Sequence, residues 1–295
     1  MKHNAIAAVL VVSAALLASG CNKEEEIAKR TGTLPQEKIS RIYTTTHIVY
    51  ETLNPVTGTW TVLMDITNGR SPLCEFTWSG DRIGKMKSGD DTYIFKYDKF
   101  GRLFLVECTD NVDRHYEFTY NSDGLLARSS AVLKASSGEL ESSRTIDYTW
   151  AGSRLQKAEE KMLAPRGDDG EFISESTHVY EWDNDNVSST RRNTLNNDGS
   201  FELFNYDYEY TSIPNPLRGF VLCQECYFGI VWSFEGIDGL SLNMLSHVVS
   251  DNADITYEYT VSGDRVSTIR KNYVALDGGS TRMTTETFYE FEYED

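Results

Sequence analysis

The residues best equipped for chemistry in this 295-residue chain are its cysteines, histidines, acidic turns and aromatics. Beyond Cys21 stand Cys74, Cys108, Cys223 and Cys226, an even number that suits an exported protein. Cys223-Gln224-Glu225-Cys226 has the spacing of a redox dithiol. That chemistry needs a helix N-terminus to lower one thiol's pKa, and Phe220-Val221-Leu222 before the pair, with Tyr227-Phe228-Gly229 after it, reads as strand. A four-thiolate zinc site needs two close pairs, and Cys74 and Cys108 are far apart. Disulfides or buried thiols are the better reading. The turns Gly167-Asp168-Asp169-Gly170, Asp183-Asn184-Asp185-Asn186 and Asn196-Asn197-Asp198-Gly199 offer oxygen ligands for calcium, but none has the twelve-residue loop with its closing glutamate, and turn formation explains them without a metal. His47, His115, His178 and His247 occur singly, with no nucleophile-elbow sequence and no zinc-binding His pair. A glycosidase needs two facing carboxylates, which no motif marks here. No catalytic residue, metal site or cofactor is therefore assigned. Tyr and Trp rings could stack on sugars, yet a regular aromatic face is first of all the core face of a sheet. Aromatics outside that register, Trp60 and Trp232, are the candidates for exposed binding.

The N-terminus carries a different kind of chemistry. Lys2, the apolar run Ala5 to Leu17 and the small residues Ala18-Ser19-Gly20 lead into Cys21. This is the order of a secretory leader, and the run is too short to span a bilayer. The segment resembles a bacterial lipobox, which implies cleavage of residues 1–20 and lipidation of Cys21. The lipobox usually has Leu where Ala18 stands. Lys23, Glu24 and Glu25 are similar to the export signal of Bacteroidota surface lipoproteins, in which a lysine followed by acids directs the protein to the cell exterior. Residues 21–38, with Gly32 and Pro35 and little apolar periodicity, read as a lipidated flexible tether.

The formal charge of −17 excludes electrostatic attraction to nucleic acid or to an anionic leaflet. Glycans, other proteins and divalent cations are the partners that charge permits. No second apolar run is long enough for a membrane helix.

From residue 39 to 295 the chain repeats one unit: an alternating strand ending in an aromatic, a polar turn, then a strand opening with an aliphatic. The clearest copy is Tyr93-Ile94-Phe95-Lys96-Tyr97, Asp98-Lys99-Phe100-Gly101, Arg102-Leu103-Phe104-Leu105-Val106. Side chains alternate across a strand, so Tyr93, Phe95 and Tyr97 share a face. In most copies the opposite face is charged or hydroxylated, as with Glu117 and Thr119, Asp147 and Thr149, or Glu290 and Glu292. One apolar and one wet face predict an all-β, antiparallel sheet. Its terminal aromatics are Trp78, Tyr97, Tyr120, Trp150, Trp182, Tyr210, Tyr259 and Tyr293. About fourteen strands are expected, too many to stay flat, so the sheet should curl into a barrel or fold as a sandwich. Ile237 to Val249 is the exception, expected as a short helix or a loop.

Tyr97-Asp98-Lys99-Phe100-Gly101-Arg102-Leu103 is similar to the YD repeat of Rhs-type surface and toxin-shell proteins. With the serial aromatic hairpins, Ile213-Pro214-Asn215-Pro216-Leu217 and Leu240-Ser241-Leu242-Asn243, residues 39–295 resemble an uncharacterised family of Bacteroidales lipoproteins described as having a porin-like β fold. That resemblance implies no activity. It invites a membrane barrel, but faces of aromatics alternating with charges, and an end at Glu294-Asp295, speak for a water-soluble domain. The expectation is a non-enzymatic surface lipoprotein, held to the membrane by its N-terminal lipid, that binds or scaffolds a glycan or a surface protein. An extracellular polysaccharide hydrolase and a lipidated outer-membrane barrel are the alternatives.

Overall fold

A computed structural model describes residues 37–109, 114–134, 140–165, 171–218, 240–275 and 281–294. Sixteen strands run β1 (Ile39–Leu53), β2 (Trp60–Ser79), β3 (Arg82–Ser88), β4 (Asp91–Tyr97), β5 (Leu103–Cys108), β6 (Arg114–Tyr120), β7 (Leu126–Lys134) and β8 (Leu140–Ala151). They continue with β9 (Arg154–Pro165), β10 (Glu171–Asp183), β11 (Asn186–Asn196), β12 (Phe201–Pro214), β13 (Asn243–Ser250), β14 (Ala253–Ser262), β15 (Arg265–Ala275) and β16 (Thr281–Tyr293). Each strand pairs antiparallel with its sequence neighbours, and β1 pairs with β16 from Ile39↔Tyr293 to Thr52↔Thr281, so the sheet is a closed barrel. The segment expected as helix or loop is strand β13 from Asn243 onward. Met244 and Leu245 are both buried beside register shifts against β12, which breaks the alternation that would have marked a strand.

The repeat has a physical cause that the structure makes explicit. At one rim, here the lower, each even-numbered strand ends in its aromatic, and that aromatic's polar tip donates to a backbone carbonyl at the start of the preceding odd-numbered strand. Trp78 Nε1 donates to Ile39 O at 2.8 Å, Tyr97 Oη to Ile83 O at 2.9 Å and Tyr120 Oη to Leu103 O at 2.7 Å. Trp150 donates to Leu126 O and Trp182 to Leu155 O, both at 2.7 Å. Tyr210 reaches Val187 O at 2.6 Å, Tyr259 reaches Leu245 O, and Tyr293 reaches Val266 O at 2.7 Å. The ladder shifts register beside Trp78, Tyr97, Tyr120, Trp150, Trp182 and Tyr210, and such bulges re-aim a side chain.

Two residues before each rim aromatic stands a second inward ring: Phe76, Phe95, Phe118, Tyr148, Tyr180, Tyr208, Tyr257 and Phe291. With inward aliphatics such as Met86, Val106, Val187 and Val248, all 2% exposed or less, they pack into one continuous core. Side chains therefore fill the lumen at this level. Asn215, Leu217, Leu240 and Ser241, from the described ends of the β12–β13 connection, are buried with them, and Ser241 Oγ accepts from Val187 N.

Apart from the β12–β13 connection, the lower turns are short. Asp98 Oδ1 accepts the backbone N–H groups of Phe100 and Arg102 at 2.9 Å each, and Arg102 Nε donates to Oδ2 at 2.9 Å. Asn121 Oδ1 does the same for Asp123 and Leu125 at 3.0 Å. Gly101 sits at φ +79°, where an L side chain is strained. Partial burial pushes the Asp98 carboxyl up, but the Arg102 N–H and guanidinium and the Phe100 N–H outweigh it and hold it below the ordinary value.

Two outcomes follow from this geometry. Trp182→Phe keeps an aromatic side chain but loses the indole N–H and some volume, leaving the buried Leu155 carbonyl without its donor, and should lower unfolding stability by at least about 1–2 kcal/mol in denaturant titration. Trp60→Phe, on a ring 37% exposed, should leave the midpoint unchanged. Asp98 has a lowered folded pKa, so the stability it adds is fully present above about pH 5 and is lost as pH falls through the folded value. The stability difference between wild type and Asp98→Asn should accordingly shrink towards about pH 2, and a difference that grows with acidity would contradict the assignment.

Candidate functional site

The strands around the barrel differ in height. β3 to β6 have six or seven residues each, whereas β8 to β12 have eleven to fourteen. The long strands extend above the aromatic layers beside the shorter ones, as do β1 and β2, of 15 and 20 residues. Four residues before each rim aromatic is a third inward position, occupied by Cys74, Tyr93, Tyr116, Ile146, Tyr206, Ile255 and Tyr289 in seven copies, and in β10 by His178. The repeat breaks here.

Cross-strand register builds a polar cluster around that break. Ile146 pairs with Glu160, Glu160 with Ser176, and Ser176 with Thr194; one step lower, Ala158 pairs with His178 and His178 with Arg192. Arg144 binds Glu160 in a fork, Nε to Oε1 at 2.9 Å and Nη2 to Oε2 at 3.2 Å. The Glu160 side chain is 11% exposed, so this is a largely buried pair. His178 Nε2 lies 3.3 Å from Glu160 Oε2, but out of line for a hydrogen bond. Ser176 Oγ and Thr194 Oγ1 bond at 2.9 Å, and Arg192 Nε donates to Thr194 Oγ1 at 3.2 Å with its guanidinium 5.9 Å from the centre of the Phe204 ring. Ser176, Thr190 and Thr194 are all buried, so the cluster is part of the packed interior. Among the described residues it has no activated nucleophile, and no group of three His, Cys, Asp or Glu is placed to hold a metal ion.

The residues singled out by sequence are scattered. Cys74 and Cys108 are buried in the core on β2 and β5. His47 bonds Asp65 at 2.8 Å and His247 bonds Asp254 at 3.0 Å, each a separate pair. His115 stands on β6, away from both. Asp183 to Asn186 and Asn196 to Gly199 form turns, with Asn184 at φ 54° and Asp198 Oδ1 accepting from Ser200 N. Trp60 is exposed and faces Arg282, whose guanidinium carbon is 4.5 Å from the ring centre. Cys21, Lys23, Glu24, Glu25, Asp168, Asp169, Cys223, Cys226 and Trp232 lie outside the described residues. Sequence reasoning missed Arg144, Glu160 and Arg192. The signal that could have found them was His178 in a position that is otherwise aromatic, aliphatic or thiol.

No protein-family model and no curated protein sequence matches the chain. Solved structures do. A porin-like protein from Bacteroides uniformis aligns over 88% of this chain and 99% of its own, at 16% identity and a TM-score of 0.50. A porin-like protein from Bacteroides vulgatus covers the same shares at 12% identity and a TM-score of 0.48. The first likeness establishes a shared fold, a porin-like β-barrel.

The expectation of a water-soluble domain is overturned by this fold. A closed antiparallel barrel with an even number of strands is the architecture of outer-membrane barrels. The charge-rich face that pointed to solubility is the outer wall, where charges are paired across strands: Arg128 with Asp147, Lys96 with Glu107, Lys161 with Glu175, and Arg270 with Glu258 and Glu286. Pairing weakens the inference from charge to full hydration, because it lowers the cost of leaving water.

Breaking the inner pair should be expensive. Glu160→Gln strands the Arg144 guanidinium in a largely buried position and is expected to cost about 3 kcal/mol. A thermal melt of Glu160→Gln beside Glu175→Gln, whose partner Lys161 is exposed, measures the contrast.

Proposed function

We propose that this protein is an outer-membrane β-barrel of porin-like architecture, additionally anchored by a lipid on Cys21, which works as a binding module and neither as an enzyme nor as an open channel. The closed β1–β16 seam carries the reading, since closure removes every strand edge, the condition for a barrel in lipid. Both ends of the barrel lie at one rim, where Glu294 N donates to Lys38 O. Against conduction stands the filled lumen: open porin channels are polar and wet inside, and the lower layers here are apolar and buried.

Removal of the lipid separates anchoring by the barrel from anchoring by the acyl chains. A Cys21→Ala variant should remain in the outer-membrane pellet after carbonate washing. Its quantitative release into the soluble fraction would show that the wall does not sit in lipid and would sink the proposal.

A further inference from the structure

Closure is complete where all sixteen strands overlap, and above that level β2 outruns its neighbour. β2 has 20 residues and β3 only seven, so β3 pairs with residues 75–79 of β2 alone. Above them β2 is paired to β1, from Tyr43↔Pro72 to Leu53↔Trp60, and among the described residues no strand lies along its other side. The lower end of this overhang is guarded. Pro72 has no N–H to offer a further strand, and Ser88 Oγ donates to Leu73 O at 3.0 Å. Residues 60–68 contain no Lys, Pro or Gly, and their one ionisable side chain, Asp65, is bonded to His47 at 2.8 Å. A register shift between Val62 and Met64 bends the strand there without adding charge.

The same stretch carries exposed apolar side chains. Val62, Leu63, Met64 and Ile66 are 54%, 64%, 42% and 39% exposed. Met64 pairs with Tyr50 and Ile66 with Ile48 on the inner face, whereas Val62 pairs with Glu51 on the outer, so both faces are apolar beside this edge. Unpaired backbone N–H and C=O groups flanked by exposed apolar side chains form a template for another strand. The overhang of β12 beyond β13 differs. It spans only residues 201–205, and Asp251 Oδ2 accepts Asn205 N at 3.1 Å.

We infer that the upper edge of β2 pairs antiparallel with the same edge of a second copy of this chain, joining two barrels through one continuous sheet. Charge selects that occupant. At a formal charge of −17 two copies repel over most of their surface, and residues 60–68 offer about 30 Å of edge where they can meet almost without charge. Two identical antiparallel strands are related by a two-fold axis, so the edge is its own complement. A register centred on Met64 sets Val62 of each copy opposite Ile66 of the other, and the two Asp65 side chains do not face each other. The pairing does not depend on where the barrel resides, since an open edge is costly in lipid and ready to pair in water.

The mass of the full-length protein in detergent micelles is measured by light scattering over a range of concentrations, with the detergent contribution subtracted. A protein mass of two chains, falling to one on dilution, is expected. Leu63→Lys sets a cation on the edge of each copy and should weaken the association at least about tenfold. Leu203→Lys, at a residue 48% exposed on the outer face of β12, should leave it unchanged. Amide hydrogen exchange locates the contact, because amides of residues 60–68 should exchange more slowly in the concentrated protein than in the dilute one. A one-chain mass at every concentration, a two-chain mass retained in Leu63→Lys, or exchange of residues 60–68 that ignores concentration would overturn the pairing. Association through acyl chains in a shared micelle survives Leu63→Lys and so counts against it. Should Leu63→Lys fail to fold, the mass and the exchange of the wild type decide the matter by themselves. A one-chain mass leaves the carbonate-wash result standing, so the two readings fail separately.

Discussion

The structure depends on one contact repeated eight times, a Trp or Tyr tip donating to the carbonyl that opens the neighbouring odd-numbered strand. Strands joined by a turn at the lower rim are held by that turn. Strands that meet there without a turn have no covalent link, and these are the ones the aromatic bonds join. Trp182, for example, ties the β10–β11 hairpin to the β8–β9 hairpin through Leu155. The ring is completed where the ends of the barrel meet, by the β1–β16 ladder and the Lys38–Glu294 bond. Only a side chain with an apolar body and a donor at its tip can do this. The body fills the core and the tip satisfies a carbonyl that burial would otherwise leave unpaired. That double requirement explains why Trp and Tyr alternate freely at the position while Phe, common two residues earlier, is absent from it.

Much of this was legible in the amino-acid order. Tyr93, Phe95 and Tyr97 announce a buried face through their spacing, and Asp98 to Gly101 announce the turn. Closure was not legible, because it consists of pairing between Ile39–Thr52 and Thr281–Tyr293, at opposite ends of the chain, and local pattern does not encode a partner so distant. Strand β13 was hidden for a local reason, the bulges that bury consecutive Met244 and Leu245. The inner cluster was hidden by register. Arg144, Glu160 and Arg192 are unexceptional charged residues on separate strands, and which of them meet is set by ladders that a shift of one residue would turn inside out.

Charge patterning misled for a related reason. Alternation tells which residues share a face, not what that face meets. On the outer wall, Arg41 lies between Glu75 and Glu292, and Arg282 lies against Glu51. These pairs bring opposite charges together between strands, so a strand that looks strongly charged when read alone is locally balanced when assembled. Inside the barrel the same holds, since Arg114 is paired with Asp91 and Arg144 with Glu160.

The porin-like fold and conduction are separable here. A barrel conducts when its inward positions are polar and its strands stand far enough apart to leave water between them. In this chain the inward positions of the lower layers are Phe76, Phe95, Phe118 and their equivalents, bound together by the rim bonds. Opening a path would require removing several large side chains and breaking the ring that closes the wall. Architecture alone thus blocks the tube at its lower layers, and the polar break in the repeat falls on β8 to β12, where His178 replaces the expected core residue.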